Sequence, residues 1–114
     1  MSGGRMRRVD EAIRQVIGEA LSAELKDPRV GFVTVTDVKT SSDLRHARVY
    51  VSVLGPVQAR EDTLAGLRHA HGFLQGRIAS ELRLKRTPEL EFSYDDTGER
   101  AMRIDALIDE VLGE

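Results

Sequence analysis

Residues 27–55, DPRVGFVTVTDVKTSSDLRHARVYVSVLG, constrain the fold more than any other stretch of this chain. Val33 and Val35 alternate with Thr34 and Thr36, and Ala47, Val49, Val51 and Val53 alternate with Arg48, Tyr50 and Ser52. A period of two gives each strand one apolar face and one wet face. The intervening Ser41-Ser42-Asp43 is turn chemistry, because these side chains bond their own backbone. Asp27-Pro28 marks the entry, since the proline ring pushes Asp27 out of the helical region. Strands are therefore expected over about Phe32–Lys39 and Leu44–Leu54, the second ended by Gly55-Pro56. Helical patterns flank the pair, which implies a small open sheet with helices on one side.

The first helix is expected from about Arg7 to Lys26, after a flexible tail over residues 1–4. Val9, Ile13, Val16, Ile17, Ala20, Leu21 and Leu25 share one face at spacings of three and four, with Arg7, Arg8 and Arg14 off it. A second helical pattern runs from about Arg60 to Leu84, with Leu64, Leu67, Leu74, Ile78 and Leu82 as its stripe. Glu61 and Asp62 suit a first turn, where the helix dipole favours negative charge. Gly66, Gly72 and Gly76 interrupt the pattern, each costing ~1 kcal/mol relative to alanine. They suggest a kink, placed at Ala70-His71-Gly72, with Gly72 expected to be needed for the two halves to meet. Thr87-Pro88 opens a third strand, Glu89–Tyr94, with Leu90, Phe92 and Tyr94 on one face. Asp96 with Glu99 resembles a capping box. It would open a last amphipathic helix over 96–114, carrying Ala101, Ile104, Leu107, Ile108, Val111 and Leu112. The order is αββααβ plus a C-terminal helix: an α+β chain of one domain over residues 1–114.

Composition narrows the chemistry. With no cysteine among 114 residues, disulfides and thiolate metal sites are excluded and a reducing compartment is expected. No run of ~18 apolar residues and no signal-like h-region occur, so the expected location is cytoplasmic. The net charge of −2 hides an asymmetry. Residues 1–88 carry 15 Lys and Arg against 10 Asp and Glu, a balance of +5, and residues 89–114 carry 2 against 9, a balance of −7. A basic body is compatible with nucleic acid, although it also reads as an ordinary solvated surface. No catalytic constellation is found. His69 and His71 point different ways on a helix and chelate poorly. Asp95-Asp96 is explained by a turn and a cap. No phosphate-binding loop or dinucleotide fingerprint is present. Neither a cofactor nor a metal is expected, and the chain reads as a binding protein, not an enzyme.

The candidate RNA contacts are basic residues near helix ends: Arg5, Arg7 and Arg8 at the first helix, Arg68, His71 and Arg77 around the kink, and Arg83, Lys85 and Arg86 after it. Arginine can hold a phosphate with two parallel hydrogen bonds. Cations near a helix C-terminus also complement its dipole, which by itself would account for Arg83, Lys85 and Arg86. The open sheet face offers mainly Thr34, Thr36, Arg48, Tyr50 and Ser52, a poor stacking platform for bases.

The order αββααβ is that of a type II KH domain, an RNA-binding fold. KH domains place a GxxG loop between the two joined helices; this chain has Ala70-His71-Gly72 there. A helix–kink–helix with Ala-x-Gly in place of the loop resembles the bacterial ribosome-binding factor A family. Asp27-Pro28-Arg29, Val33-Thr34-Val35-Thr36, Ser42-Asp43-Leu44, Ala47-Arg48-Val49-Tyr50-Val51-Ser52, Leu82-Arg83-Leu84-Lys85, Pro88-Glu89-Leu90 and Asp95-Asp96 follow its pattern over about Arg5 to Leu112. Lys85 stands where arginine is common. The resemblance implies a non-catalytic factor of ribosome biogenesis, acting as a monomer. It would bind 16S rRNA in immature small (30S) subunits, assist 5′-end processing, and be released with the help of an assembly GTPase. It also implies a role in cold adaptation. A small protein–protein module and a general KH-type RNA binder are the alternatives. Salt-dependent nucleic-acid binding separates the first from the RNA readings, and preference for immature subunits separates the second.

Overall fold

The computed structural model describes residues 2–23 and 30–97. Its elements follow the order αββααβ: α1 (Ser2–Ala23), β1 (Val33–Thr40), β2 (His46–Val53), α2 (Val57–His69), α3 (His71–Glu81) and β3 (Glu89–Tyr94). The sheet has the order β1-β2-β3, with β1 antiparallel and β3 parallel to the central β2. Helices cover one face. Ile13, Val16, Ile17 and Ala20 of α1, Leu64 and Leu67 of α2, and Leu74 and Ile78 of α3 bury against Val35, Val38, Val49, Val51, Leu90 and Phe92. Valine-rich strands suit this half-buried sheet, where branched side chains pack well against their neighbours. The expected C-terminal helix, and residues 24–26 of the expected first one, lie outside the described residues.

Several boundaries differ from the sequence expectation. The helix α1 begins at Ser2, so residues 2–4 are helical and not a flexible tail. Extending a formed helix costs far less than nucleating one. The helix α2 starts at Val57, with Pro56 as its N-cap. Glu61 and Asp62 therefore lie beyond the first turn, and Asp62 instead accepts a 2.9 Å bond from Gln58 Nε2 one turn earlier. Gly55 makes this entry possible: its φ is +132°, and a Cβ there would sit 3.1 Å from that of Ala59.

The strand β1 carries a bulge that a simple alternation misses. The register passes from Val35↔Val51 to Asp37↔Tyr50, leaving Thr36 as the extra residue and returning Val38 to the core. The β1–β2 turn is one residue longer than expected. Leu44 N–H donates to Ser41 O at 2.9 Å, and Leu44 sits at φ 61°, in the left-handed region. That conformation costs roughly 1–2 kcal/mol. Two bonds to Asp43 Oδ1 offset it, from Ser41 Oγ at 2.7 Å and from Arg45 N–H at 3.0 Å.

Candidate nucleic-acid interface

The break between α2 and α3 falls on Ala70 (φ −86°, ψ 9°). The ladder runs through it: Ala70 N–H donates to Gly66 O and Leu74 N–H to Ala70 O, both at 3.0 Å. Ala70 is buried, whereas Gly72 is exposed and a Cβ there would meet nothing within 4 Å. The expectation that Gly72 is required is therefore corrected. The small buried side chain at position 70 lets the helices turn, and Gly66 is the buried glycine of this unit.

Two side chains of α3, one turn apart, tie this unit to β3. Nε2 of His71 lies 3.2 Å from Leu90 O. Gln75 donates from Nε2 to Pro88 O at 2.6 Å and accepts from Leu90 N–H at Oε1 at 3.1 Å. His71 is half-buried in this role, while His69 is exposed. The link fixes both ends of the 82–88 segment, because Leu82 N–H also donates to Ile78 O at 2.9 Å. Arg83, Lys85 and Arg86 stand exposed on that segment.

The topology brings the other basic clusters to the same end of the sheet. Asp10 Oδ1 accepts the Thr40 N–H at 2.9 Å, which places the first turns of α1 beside the β1–β2 turn. Glu89 N–H donates to Arg45 O at 2.9 Å, which brings the entry into β3 to that turn as well. Arg5, Arg7 and Arg8, then Arg68 beside the kink, then Arg83, Lys85 and Arg86, thus surround one pole. All seven are exposed, and none forms an ion pair with a described residue. Asp95 and Asp96 lie at the opposite pole, directly after β3 ends at Tyr94.

Other cations are already engaged. Arg77, placed with the candidates by sequence, donates from Nε to Glu81 Oε2 at 2.7 Å. Arg14 pairs with Glu11, Arg45 with Asp43 at 3.5 Å, and Lys39 with Asp37 at 3.6 Å. On the open sheet face Arg48 meets Glu91 at 3.4 Å. Hydrogen bonding with Tyr50 and then the charge of Glu91 raise its pKa above the ordinary arginine value. Thr36 Oγ1 donates to Asp95 Oδ2 at 2.6 Å. Asp95 Oδ1 accepts the Thr97 N–H at 3.0 Å, a turn bond of an aspartate to the backbone two residues on; the capping box expected of Asp96 with Glu99 lies outside the described residues. Tyr94 is covered on one side by Arg60, 3.8 Å from its ring centre. Among the described residues no three His, Cys, Asp or Glu side chains gather as a metal site. None of the described helices is long and apolar enough to cross a membrane.

A family model for ribosome-binding factor A matches residues 5–108. The chain belongs to the ribosome-binding factor A family. Solved structures agree with the match. The crystal structure of ribosome-binding factor A from Thermus thermophilus superposes with a TM-score of 0.70 at 29% identity, covering 78% of this chain and 94% of that one. A solution structure of a Thermotoga maritima protein, described as a putative ribosome binding factor A, gives a TM-score of 0.71 at 41% identity, covering 78% and 85%. A homology model of the Thermus thermophilus factor, fitted into a cryo-EM map of its complex with the 30S subunit, gives 0.63 at 30% identity, covering 75% and 90%. Membership of the ribosome-binding factor A family explains why the sequence pattern extends through nearly the whole chain.

Proposed function

We propose that this chain is a non-catalytic assembly factor of the 30S ribosomal subunit that holds 16S rRNA with its basic pole. The observation that carries the reading is the set of seven exposed arginine and lysine side chains without ion pairs to the described residues, gathered from α1, the kink and the 82–88 segment. Such cations exchange counterions for phosphates without first breaking ion pairs, so they are the most favourable contacts to an RNA backbone. The Thermus thermophilus relative described in complex with the 30S subunit supports the partner. The factor acts by favouring one rRNA arrangement over another, so that its differential affinity shifts the equilibrium. Assistance to 5′-end processing of 16S rRNA, release aided by an assembly GTPase, monomeric action and importance in the cold belong to the same proposal.

Cosedimentation with immature and mature 30S subunits at rising salt tests it. Binding should favour immature subunits and weaken with a log–log slope of roughly −0.7 to −0.9 per phosphate contacted. Charge reversal at Arg83 and Arg86 should cost more binding than Arg77→Glu or Tyr50→Ala, with circular dichroism unchanged. Loss of binding on Tyr50→Ala, with the Arg83 and Arg86 reversals silent, would move the interface to the sheet face and refute the assignment.

A further inference from the structure

The strand β1 is an edge of the sheet, and its two halves are treated differently. In an antiparallel pair, alternate residues turn their N–H and C=O groups away from the partner strand. Ser41 N–H bonds His46 O, and Leu54 N–H bonds Phe32 O. With the register of β1 on β2, these bonds turn Val38 and Thr40 outward in one half, and Val33 and Val35 outward in the other. The first half is blocked. Asp37 Oδ1 accepts the Val38 N–H and Asp10 Oδ1 accepts the Thr40 N–H, each at 2.9 Å. Carboxylates in those places, followed by the bulge at Thr36, are what keeps an edge from recruiting another strand. Val33 and Val35 have no such block among the described residues.

A groove of ≈ 490 Å³ runs beside that open half, between β1 and α1. Gly18, Leu21, Phe32, Val33 and Val35 line it together with the polar side chains of Arg14, Ser22 and Thr34. The charge of Arg14 is taken by Glu11. Gly18 lies inside α1, where glycine costs ~1 kcal/mol relative to alanine, yet a Cβ at this position would meet nothing within 4 Å. Packing among the described residues gives no reason for that glycine; room for an incoming group does. Phe32 is 81% and Leu54 78% exposed, so apolar surface continues past the groove's mouth.

We propose that the open half of β1 is a strand-addition site, where an extended segment of a protein partner pairs with Val33 and Val35 and places an apolar side chain in the α1–β1 groove. Main-chain bonds to an edge supply affinity in this mode, and a pocket for alternate side chains supplies selectivity. The size of the surface identifies the occupant as a short segment and not a second copy. Two copies meeting through this edge would share only the stretch from Val33 to Val35, since each carries the same bulge and blocked half. With the charge of Arg14 taken by Glu11, the described residues of the groove's lining offer no unpaired cation to a phosphate backbone. The site lies toward the pole opposite the basic one, so RNA and the segment can be held together.

NMR titration of the full chain with the heptapeptide acetyl-Lys-Thr-Val-Leu-Val-Thr-Lys-amide tests the proposal. Amide shifts should concentrate at Gly18, Gly31, Val33 and Val35. The same peptide N-methylated at its three central residues should bind about tenfold more weakly or worse, because ladder bonds at about 1 kcal/mol each are lost. Gly18→Leu should fill the groove and abolish the shifts while the melting temperature holds or rises. Absence of shifts on β1 at millimolar peptide, equal binding of the N-methylated peptide, or undiminished binding to a folded Gly18→Leu variant would each overturn it.

Discussion

Truncating Gln75 is the most direct way to ask whether the link between α3 and β3 holds the basic segment in place. Its amide makes two bonds in a partly buried setting, to Pro88 O at 2.6 Å and from Leu90 N–H at 3.1 Å. Each is worth about 1 kcal/mol net, and an orphaned group in a buried setting costs about 1–3 kcal/mol. Water can reach part of this site, which limits the loss for Gln75→Ala to about 2–3 kcal/mol. In urea, with a slope of about 1–3 kcal/mol/M for a small protein, the midpoint should fall by roughly 1–2 M with the slope unchanged. His71, one turn earlier, bonds the carbonyl of the same Leu90 at 3.2 Å. A double-mutant cycle with His71→Ala should therefore show a coupling of about 0.5 kcal/mol or more. Below its melting transition, the Gln75→Ala protein should also bind small subunits more weakly, because Arg83, Lys85 and Arg86 lose their fixed geometry. A loss under about 0.5 kcal/mol, typical of an uninvolved surface position, would refute the reasoning.

Three further outcomes follow from single positions. Gly72→Ala should be neutral or stabilising by up to ~1 kcal/mol, since its Cβ has open space in a helix; Gly66→Leu, at a buried site, should lose ~1–3 kcal/mol, and thermal melts rank the two. Gly55→Ala should destabilise by about 1–2 kcal/mol, because its positive φ and the 3.1 Å approach to Ala59 both resist a Cβ; an unchanged melt would contradict this. The hydrogen bond from Ser41, then that from the Arg45 N–H, holds the Asp43 carboxyl below its ordinary 3.8. A depressed folded-state pKa stabilises above pH ~3.8 and loses that contribution as pH falls through the folded value. In Ser41→Ala the carboxyl should titrate closer to 3.8 by NMR, and an unmoved titration would exclude the bond as its cause.

The sequence reading succeeded where a periodic signal and a strong stop coincide. The strand Glu89–Tyr94 has alternating Leu90 and Phe92 behind Thr87-Pro88, and the structure begins and ends it at those residues. The break at Ala70 was legible because the apolar stripe persists on both sides of it, but the agent was misread. Glycines looked like the hinge by propensity, whereas burial of a small side chain at position 70 decides it. The bulge at Thr36 left a trace, since Val35 and Val38 are three apart in a strand where even spacing is expected. The pairing of Gln75 with β3 left none, because a polar residue on a helix reads as solvated until the chain returns beside it. The basic candidates were individually visible in the sequence. Their convergence on one pole depends on how the elements are threaded, whereas the neutralisation of Arg77 by Glu81 is an i,i+4 pair within one helix and was open to a sequence reading.

That threading has a consequence for how the protein folds. The turn joining β1 and β2 closes between Ser41 and His46, five residues apart, whereas the cross-strand contact of Arg48 with Glu91 spans forty-three. Hairpins close in about 1–10 µs, and a longer loop must give up more chain entropy before its contacts are rewarded. The hairpin should thus be formed in the transition state and β3 docked after it. Alanine substitutions at Leu90 or Phe92 would then speed unfolding and leave the folding rate nearly unchanged. A slowed folding limb for Leu90→Ala in a chevron plot would show the reverse order. On this route the segment bearing Arg83, Lys85 and Arg86 is the last part of the basic pole to take its final place, so a chain emerging from synthesis gains its full charge surface only at the close of folding.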